Sequence, residues 1–439
     1  MAGEWQMVRL GDYVDSNLGK MLDANKNKGV PRPYLGNSNV RWGSFELNDL
    51  ALMKFEEGEE ERYGIRDGDL IVCEGGEPGR CAVWREQVPD MKIQKALHRI
   101  RPKDGLNNYY LFYWFMLAGR SGWLEPFFTG TTIKHLTGKA LSELKVPLPP
   151  IEEQRAIAHI LGTLDDKIEN LRRQNETLEA MARALFKAWF VDFDPVRAKI
   201  EGRWRRGETL PGLPAHLYDL FPDRLVESEL GEIPEGWESA PASKLIEFNP
   251  PESLRKGTEA PYIEMAALPT IGSWPEPPVL RPFGSGMRFR NGDTLLARIT
   301  PCLENGKTAF IQCLPENTVG WGSTEFIVMR PKPPLPPEFG YLLARDVAFR
   351  EQAIRSMTGT SGRQRVQAGS LAAFKIAVPS NNDAWSAFSS IVTPAFKSIK
   401  ANAETAATLA HFRDTLLLKL ISGELRIKDA ERFLQERGL

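Results

Sequence analysis

The sequence predicts a mixed α/β fold in which two similar globular halves follow one another. Each half ends in a long helix, and the two helices are expected to pair as an antiparallel coiled coil, since the alternative parallel pair would crowd both halves at one end. The 439-residue chain carries the same short motifs twice in the same order, and each copy precedes a helix-length segment with a heptad pattern of apolar residues. A chain of this length is also too long for one ordinary core.

The internal repeat is weak at each match but keeps its order along the chain. The matches include RDGDLIV (66–72) with RNGDTLLA (290–297), TGTTIKHL (129–136) with TGTSGRQRV (358–366), and LSELKVPLP (141–149) with LAAFKIAVP (371–379). The offset between partners drifts only between about 224 and 232 residues. Chance similarity of turn residues is the competing explanation, because Gly-Asp and Pro-Gly occur in turns everywhere. The constant order argues against it.

Apolar residues recur every four and three positions in both helical segments, which is the signature of a coiled-coil seam. The predicted seam residues are Ile157, Leu161, Leu164, Ile168, Leu171, Asn175, Leu178, Val392, Ile399, Asn402, Leu409 and Leu416. Each seam carries one asparagine near its middle. An asparagine there weakens packing but fixes the register, because its amide needs a partner in the apolar interface. The alternative is that both asparagines face solvent at a ragged seam.

These patterns divide the chain into six predicted parts. They are a first globular domain (1–150), a first long helix (151–192), a connector (193–236), a second globular domain (237–380), a second long helix (381–425) and a C-terminal tail (426–439). The connector is rich in Gly, Pro and charge without clear periodicity, so we expect it to be irregular. It remains open whether it packs on one of the domains.

Composition excludes several classes of protein. No run of 18 apolar residues predicts a membrane span, and the N-terminus lacks the pattern of a signal peptide. The four cysteines form no CxxC pair and have no histidine partners at ligand spacing, which argues against a zinc site and suits the cytoplasm. The net charge of −1 gives no sign of nucleic-acid binding, so any DNA-binding face must be local.

Two similar modules on a stiff spacer indicate a protein that binds two separated patches of one long ligand. A 40-residue helix is about 60 Å long, and two half-sites one or two turns apart on duplex DNA lie roughly 35–70 Å apart. Long donor side chains beside the two Thr-Gly-Thr motifs, together with other local cations, are the candidate DNA contacts, although any short basic run can equally be a solvated face. The candidates are Lys92, Lys95, Lys134, His135, Arg288, Arg363, Gln364 and Arg365.

Several segments together resemble the specificity subunits of type I restriction-modification systems. The strongest is VPLPPIEEQRAIAHILGTLDDKIENLRRQNETLEAMARALFKAWFVDFDPVRAK (146–199), which is similar to the central repeat of that family. RPYLGNSNVRWGSFEL (32–47) and YGIRDGDLIVCEGGEPGR (63–80) resemble one type of first target-recognition domain, and SGEL (422–425) resembles the close of the second helical repeat. The resemblance covers nearly the whole chain in the right order.

The resemblance implies two α/β target-recognition domains joined by two helices in an antiparallel coiled coil. Such a subunit recognises a bipartite DNA sequence in a complex that defends the cell against foreign DNA. It recruits two methyltransferase subunits, and restriction subunits with an ATP-dependent translocase and nuclease can join. S-adenosylmethionine is bound by the methyltransferase, so the resemblance implies no cofactor, no metal and no catalytic residue in this chain. GTSGRQRV replaces GTTIKHL in the second half, so the two halves are expected to recognise different half-sites.

Two other functions fit parts of the sequence. The chain is alternatively the recognition portion of a methyltransferase-type restriction enzyme, because NPPE (249–252) is similar to the Asn-Pro-Pro-aromatic motif of adenine methyltransferases. Glu252 stands where the aromatic residue belongs, and no Gly-rich cofactor loop precedes it, so a plain turn is the favoured interpretation. The third possibility is an orphan DNA-binding coiled-coil scaffold, which a neighbouring methyltransferase gene would argue against.

Overall fold

The computed structural model of the chain describes residues 5–427 and 429, except 24, 26 and 361. The chain forms two compact units, here called the first unit (Met1–Ile168 with Thr408–Leu439) and the second unit (Glu169–Ala407). The boundary between them falls inside both long helices. The domain boundaries drawn from the sequence stay predictions, and most of the predicted tail 426–439 lies outside the described residues. None of the described helices has the length and apolar character that crossing a bilayer requires.

The chain up to the first long helix is a mixture of short strands and helices. Its strands are β1 (Gln6–Arg9), β2 (Val14–Leu18), β3 (Val30–Leu35), β4 (Val40–Arg41), β5 (Ser44–Phe45), β6 (Leu52–Phe55), β7 (Leu70–Cys73), β8 (Cys81–Val83), β9 (Lys92–Ile93), β10 (Leu97–Pro102) and β11 (Lys145–Leu148). Its helices are α1 (Leu10–Tyr13), α2 (Glu60–Tyr63), α3 (Asn108–Arg120), α4 (Gly138–Glu143) and α5 (Ile151–Phe190). The main sheet has the order β2-β10-β7-β8, and β6-β3-β9 form a second one.

The rest of the chain repeats this plan. Its strands are β12 (Leu225–Ser228), β13 (Gly231–Pro234), β14 (Glu238–Pro241), β15 (Ile246–Phe248), β16 (Glu259–Ile263), β17 (Val279–Pro282), β18 (Met287–Phe289), β19 (Thr294–Ala297), β20 (Thr308–Phe310), β21 (Gly320–Gly322), β22 (Phe326–Pro331) and β23 (Lys375–Val378). Its helices are α6 (Asp194–Ile200), α7 (Ala242–Leu245), α8 (Glu338–Arg345), α9 (Val347–Arg355), α10 (Ala368–Ala372) and α11 (Asp383–Ile421). The main sheet β15-β22-β19-β20 has the same order as β2-β10-β7-β8, so the predicted tandem repeat is confirmed.

One ion pair shows how closely the two copies correspond. In the first, Arg101 donates two hydrogen bonds of 2.7 Å to the buried carboxylate of Asp69. In the second, Arg330 donates two of 2.6 Å to the equally buried Asp293. Both aspartates close the tight turn that the sequence shows as RDGD and RNGD. Paired and fully hydrogen-bonded carboxylates of this kind avoid the high cost of burying a lone charge.

The two long helices run antiparallel within each unit, as the sequence predicts. In the first unit, Arg413 of α11 donates a 2.6 Å hydrogen bond to Asp165 of α5, and Tyr113 of α3 donates to the same carboxylate at 2.8 Å. In the second unit, Asn402 of α11 donates to Asn175 of α5 at 2.9 Å. The two asparagines therefore pair with each other inside the seam, which decides between the two interpretations of them.

Most predicted seam residues lie between the helices. Ile157, Leu161, Leu164, Ile168, Val392, Ile399, Leu409 and Leu416 are buried, and Leu171, Asn175, Leu178 and Asn402 are half-buried. The seam pattern missed Phe396, which is fully buried and packs edge-on against Phe310 of β20 and Tyr341 of α8. α11 therefore buries one face against the α/β part of the second unit as well as one against α5.

The predicted connector packs tightly in the second unit. Trp204 is 1% exposed, and its ring contacts the ring of Tyr218 edge-on with centroids 5.0 Å apart. Phe193 packs edge-on against Trp237, at a centroid distance of 5.8 Å. The end of α5 joins the same core, because Phe190 stacks on Trp385 of α11 with centroids 4.6 Å apart. The connector is thus part of the hydrophobic core of this unit.

Candidate nucleic-acid interface

Each Thr-Gly-Thr segment, here called the first cassette (129–136) and the second cassette (358–366), is held at one end of the two central strands of a main sheet. In the first unit, the backbones of Thr129 and His135 exchange hydrogen bonds of 2.9 and 2.8 Å, which closes the cassette into a loop. Leu136 then donates its N–H to the carbonyl of Glu74, the residue after β7, at 2.7 Å. Glu74 in turn donates to the carbonyl of Ala96, the residue before β10, at 2.9 Å.

The second unit has the same backbone hydrogen bonds. Thr358 and Arg365 exchange hydrogen bonds of 3.0 and 2.9 Å. Val366 donates to the carbonyl of Arg298, the residue after β19, at 2.9 Å, and Arg298 donates to the carbonyl of Glu325, the residue before β22, at 3.0 Å. We call this set of three hydrogen-bonded segments the cassette frame. It explains why the sequence carries the motif twice.

The glycine of each cassette is required by the loop itself. Gly130 has φ +94° and Gly359 has φ +129°, in the region that glycine alone adopts readily. A Cβ on Gly130 would lie 2.2 Å from the carbonyl oxygen of Ile133, and one on Gly359 would lie 3.0 Å from that of Arg363. The Thr129 hydroxyl donates to the carbonyl of His135 at 3.4 Å, which favours the structural interpretation of that threonine.

The two frames carry different charges at equivalent positions. In the first, Glu74, Ala96 and His135 occupy the three frame positions that Arg298, Glu325 and Arg365 occupy in the second. The order is thus acid, apolar and histidine in one frame, and base, acid and base in the other. All six side chains are half-buried, so each frame presents these groups at its surface.

Lys95 and His135 line one groove of about 490 Å³ in the first unit, together with Glu74 and Thr129. Lys95 is exposed, and so is Lys134, whose ammonium lies 5.9 Å from the centre of the Phe128 ring. Three of the predicted contacts therefore lie on or beside the first cassette frame. The groove also contains the carboxylate of Glu74, which the local basic sequence did not indicate.

Lys92 is placed differently from what the sequence predicts. It is 2% exposed, forms a 2.8 Å ion pair with Glu60 and donates to the carbonyl of Asp90 at 2.8 Å. An ammonium with its hydrogen bonds taken up inside the protein does not reach a phosphate. The prediction of Lys92 as a DNA contact is therefore wrong, because its buried ammonium is held by the exposed carboxylate of Glu60.

The predicted contacts of the second unit fall into two groups. Arg363, which is exposed, and Gln364 and Arg365, which are half-buried, all belong to the second cassette. Gln364 also accepts the N–H of Thr300 through its backbone carbonyl at 3.1 Å. Arg288 lies on a different sheet, with its guanidinium 5.9 Å from the centre of the Phe283 ring. The structure thus brings the three cassette residues together. Arg288 belongs to another sheet, β17-β16-β21-β18.

A carboxylate that the sequence did not reveal pairs with Arg365. The Arg365 Nε lies 2.9 Å from both carboxylate oxygens of Glu325, and Nη2 lies 2.7 Å from Oε1. These hydrogen bonds lower the pKa of Glu325 and raise that of Arg365, so both groups stay charged. Glu325 stands 40 residues before its partner, and only the cassette frame brings them together, because Arg298 after β19 bonds both Val366 and Glu325.

The NPPE segment is structural. The N–H of Asn249 donates to the carbonyl of Val328 at 2.7 Å. In return, the N–H of Val328 donates to the side-chain oxygen of Asn249 at 2.9 Å. Glu252 forms a 2.7 Å ion pair with Arg330 and is 14% exposed at its side chain. This arrangement supports the interpretation as a plain turn. Among the described residues, no group of three or more His, Cys, Asp and Glu side chains is placed to hold a metal ion.

The buried side chain of His98 is hydrogen-bonded to the last residue of the first cassette. It is 1% exposed, and its Nε2 lies 2.9 Å from the carbonyl oxygen of Leu136. Burial lowers its pKa below the ordinary value, so the neutral ring donates Nε2–H to that carbonyl. In the sequence, His98 stands between the cations Lys95 and Arg99. In the structure, its hydrogen bond to Leu136 holds the end of the first cassette.

The first part of the chain matches an established protein family. Residues 2–180 match the family described as the type I restriction modification DNA specificity domain. The MjaIX specificity subunit of Methanocaldococcus jannaschii is 27% identical over 381 residues, which are 82% of this chain and 78% of that protein. The HindI specificity subunit of Haemophilus influenzae is 30% identical over 213 residues, 45% of this chain and 43% of that relative.

The fold agrees with these sequence matches. The crystal structure of a type I restriction-modification S subunit from M. genitalium superposes with a TM-score of 0.52 and 14% identity, covering 95% of this chain and 96% of that one. Residues 2–180 of the chain therefore belong to the type I restriction-modification DNA specificity domains. Specificity subunits are the non-catalytic recognition components of their complexes, so the prediction that this chain is not an enzyme is confirmed.

Proposed function

We propose that this specificity subunit reads a bipartite DNA target, one part with each cassette frame. The observation that carries the proposal is the duplicated frame: two identical sets of backbone hydrogen bonds present different side chains at equivalent positions. Identical scaffolds with exchanged charges are what two readers of different half-sites need, because donors and acceptors at base edges differ from one base pair to the next. The exposed Lys95, Lys134 and Arg363 supply phosphate contacts beside the frames.

The paired helices supply a surface for the methyltransferase subunits. In the second unit, α5, α11 and the segment 209–214 enclose an apolar groove of about 930 Å³. On its rim, Met181 is 64% exposed and Ile391 is 42% exposed. Exposed apolar side chains in a groove of this size favour a protein partner with an apolar face. The partner we propose is a methyltransferase subunit that carries S-adenosylmethionine, and restriction subunits join the complex through it.

The test is co-expression with a type I methyltransferase subunit from the same genome, followed by mapping of N6-methyladenine in the host DNA. We expect a split motif of two short blocks with a fixed unspecified gap. A continuous short motif would contradict reading by two separate frames. Methylation by this chain without a partner, or S-adenosylmethionine binding by the isolated chain, would instead favour the fused-enzyme alternative. Failure to co-purify with any methyltransferase would favour the orphan scaffold.

A further inference from the structure

The guanidinium of Arg365 uses some of its N–H groups in hydrogen bonds within the protein and leaves others without a partner among the described residues. Nε and Nη2 face the carboxylate of Glu325 at 2.7–2.9 Å, and Nη1 donates to the carbonyl oxygen of Arg363 at 3.1 Å. A guanidinium has five N–H groups. Three are taken up by these contacts, which leaves one N–H on each terminal nitrogen.

The two unused N–H groups point the same way when Nη1 bonds the Arg363 carbonyl through its inner hydrogen, the one nearer Cδ. In a planar guanidinium whose Nε edge is occupied, the remaining hydrogens of Nη1 and Nη2 lie side by side on the end of the group. The Arg365 side chain is 37% exposed, so that end is accessible. The result is a rigid pair of parallel donors at the surface of the second cassette.

We infer that Arg365, held in place by Glu325, reads a guanine in one half-site through the O6 and N7 atoms of the base. The inference rests on the proposed function. Those two acceptors lie side by side on the major-groove edge and match a pair of parallel donors, whereas adenine presents one acceptor and one donor there. Glu325 acts as the positioning residue, because it removes the rotational freedom that a lone arginine would lose on binding.

Charge favours a base over a phosphate as the ligand of Arg365. The guanidinium and the Glu325 carboxylate together carry no net charge, so the pair attracts an anion weakly, and a phosphate approaching it would also meet the carboxylate. The acceptors of guanine are neutral groups and need only the oriented N–H bonds. Arg363 presents an exposed side chain two residues away and suits a phosphate contact instead.

The first frame lacks this device. Ala96 and His135 stand where Glu325 and Arg365 stand, so no carboxylate–guanidinium pair forms there. The guanine contact is therefore confined to the half-site that the second unit reads. This asymmetry makes the inference testable, because a variant of Arg365 should alter one block of the motif and leave the other unchanged.

The experiment uses the complex with the co-expressed methyltransferase and maps N6-methyladenine for the wild type and four variants. Arg365→Ala and Arg365→Lys are expected to relax one G·C position in one block, lowering discrimination there about ten- to a hundredfold. Glu325→Ala should relax the same position to a smaller degree. Arg224→Ala is the matched control, since Arg224 is an exposed arginine 3.4 Å from Glu235 in the connector, and its motif should equal that of the wild type.

The outcomes separate this inference from the proposed function. If the wild-type complex gives no bipartite motif, the proposed function itself fails. If the wild type gives such a motif and Arg365→Lys methylates the same motif unchanged, only the guanine contact is overturned. Relaxation at an A·T position, or equal loss in both blocks, overturns it too. Arg365→Lys keeps the charge, so it covers the case in which Arg365→Ala fails to fold.

Discussion

Asn402 donates a hydrogen bond to the side-chain oxygen of Asn175 at 2.9 Å, and Asn175 donates to the backbone carbonyl of Ile399 at 3.1 Å. The Asn175 amide thus both accepts from and donates to α11, between antiparallel helices of the second unit. A shift of α11 along α5 by one heptad would separate the two asparagines and leave polar groups in an apolar seam. The pair therefore fixes the register of the two helices.

Removing one amide of this pair should destabilise the second unit more than removing both. Asn402→Leu leaves the Asn175 side chain without its partner, and we expect it to lower the free energy of unfolding by about 1–2 kcal/mol. The double variant Asn175→Leu with Asn402→Leu should recover most of that loss. Urea unfolding followed by circular dichroism measures both, with Glu176→Ala on an exposed face of α5 as the control. Equal stability of single and double variants would contradict the pairing.

Acid should loosen the first cassette. Burial lowers the pKa of His98, so below its ordinary pKa of about 6.5 the unfolded chain takes up a proton that the folded unit excludes. The stability that neutral His98 contributes is therefore present above that pH and is lost as the pH falls towards the lowered, folded-state pKa. The protection of the Leu136 amide against hydrogen exchange, measured relative to the intrinsic rate at each pH, should fall over this range, because this amide is bonded to Glu74 in the folded unit.

The histidine prediction has a matched control. His98→Gln keeps a side-chain donor that does not titrate and should abolish the pH dependence of the protection at Leu136. His159, an exposed histidine on α5, should have no such effect when it is changed to glutamine. The same loss of protection in His98→Gln as in the wild type would show that another group is responsible.

Lys92 and Lys95 should separate into a structural and a DNA-binding residue. Lys95→Ala removes an exposed cation beside the first cassette, so it should weaken DNA binding for all sequences and reduce the salt slope by about one. Lys92→Met removes a buried ammonium and leaves the exposed carboxylate of Glu60 in water, so it should change neither the melting temperature strongly nor the salt slope. Fluorescence anisotropy over a salt series and a thermal melt test the pair. A reduced salt slope in Lys92→Met would restore the original prediction.

The apolar groove of the paired helices should bind the methyltransferase. Met181→Glu places a charge on its rim, so we expect less methyltransferase to co-purify with an unchanged fold. Glu176→Lys also changes the charge of α5, but five residues before Met181 it faces a different side of the helix. It should therefore co-purify normally. Loss of capture in both variants, or in neither, would contradict the groove as the docking surface.

The fold could be predicted because each repeat is built on local features that show in the sequence. The RDGD and RNGD turns, the Thr-Gly-Thr loops and the heptads all act over a few residues, so each leaves a short pattern. The residues of the coiled-coil seam could be predicted for the same reason. Phe396 was the exception, because it is buried by Phe310 and Tyr341 in another part of the second unit. A heptad count contains no information about that contact.

The site could be predicted only in part, because its electrostatics are not local. Lys92 is neutralised by Glu60 of α2, and the two-residue strand β9 is too short to show which side chains point inward. Glu325 meets Arg365 across 40 residues, although the sequence around the second cassette is free of acids. The burial of the connector could not be predicted either, because Trp204 and Phe221 lie in turns without a periodic pattern of apolar residues.

The division of the chain has a consequence for its synthesis. The second unit is one continuous stretch, Glu169–Ala407, whereas the first needs Met1–Ile168 and Thr408–Leu439 together. On the ribosome, the first unit therefore starts earliest and closes last. The hydrogen bond of Asp165 to Arg413, 248 residues downstream, can form only after the entire second unit has been synthesised. Until then the α5 face of the first unit is an open apolar surface, and chaperone binding to nascent chains should be strongest in that interval.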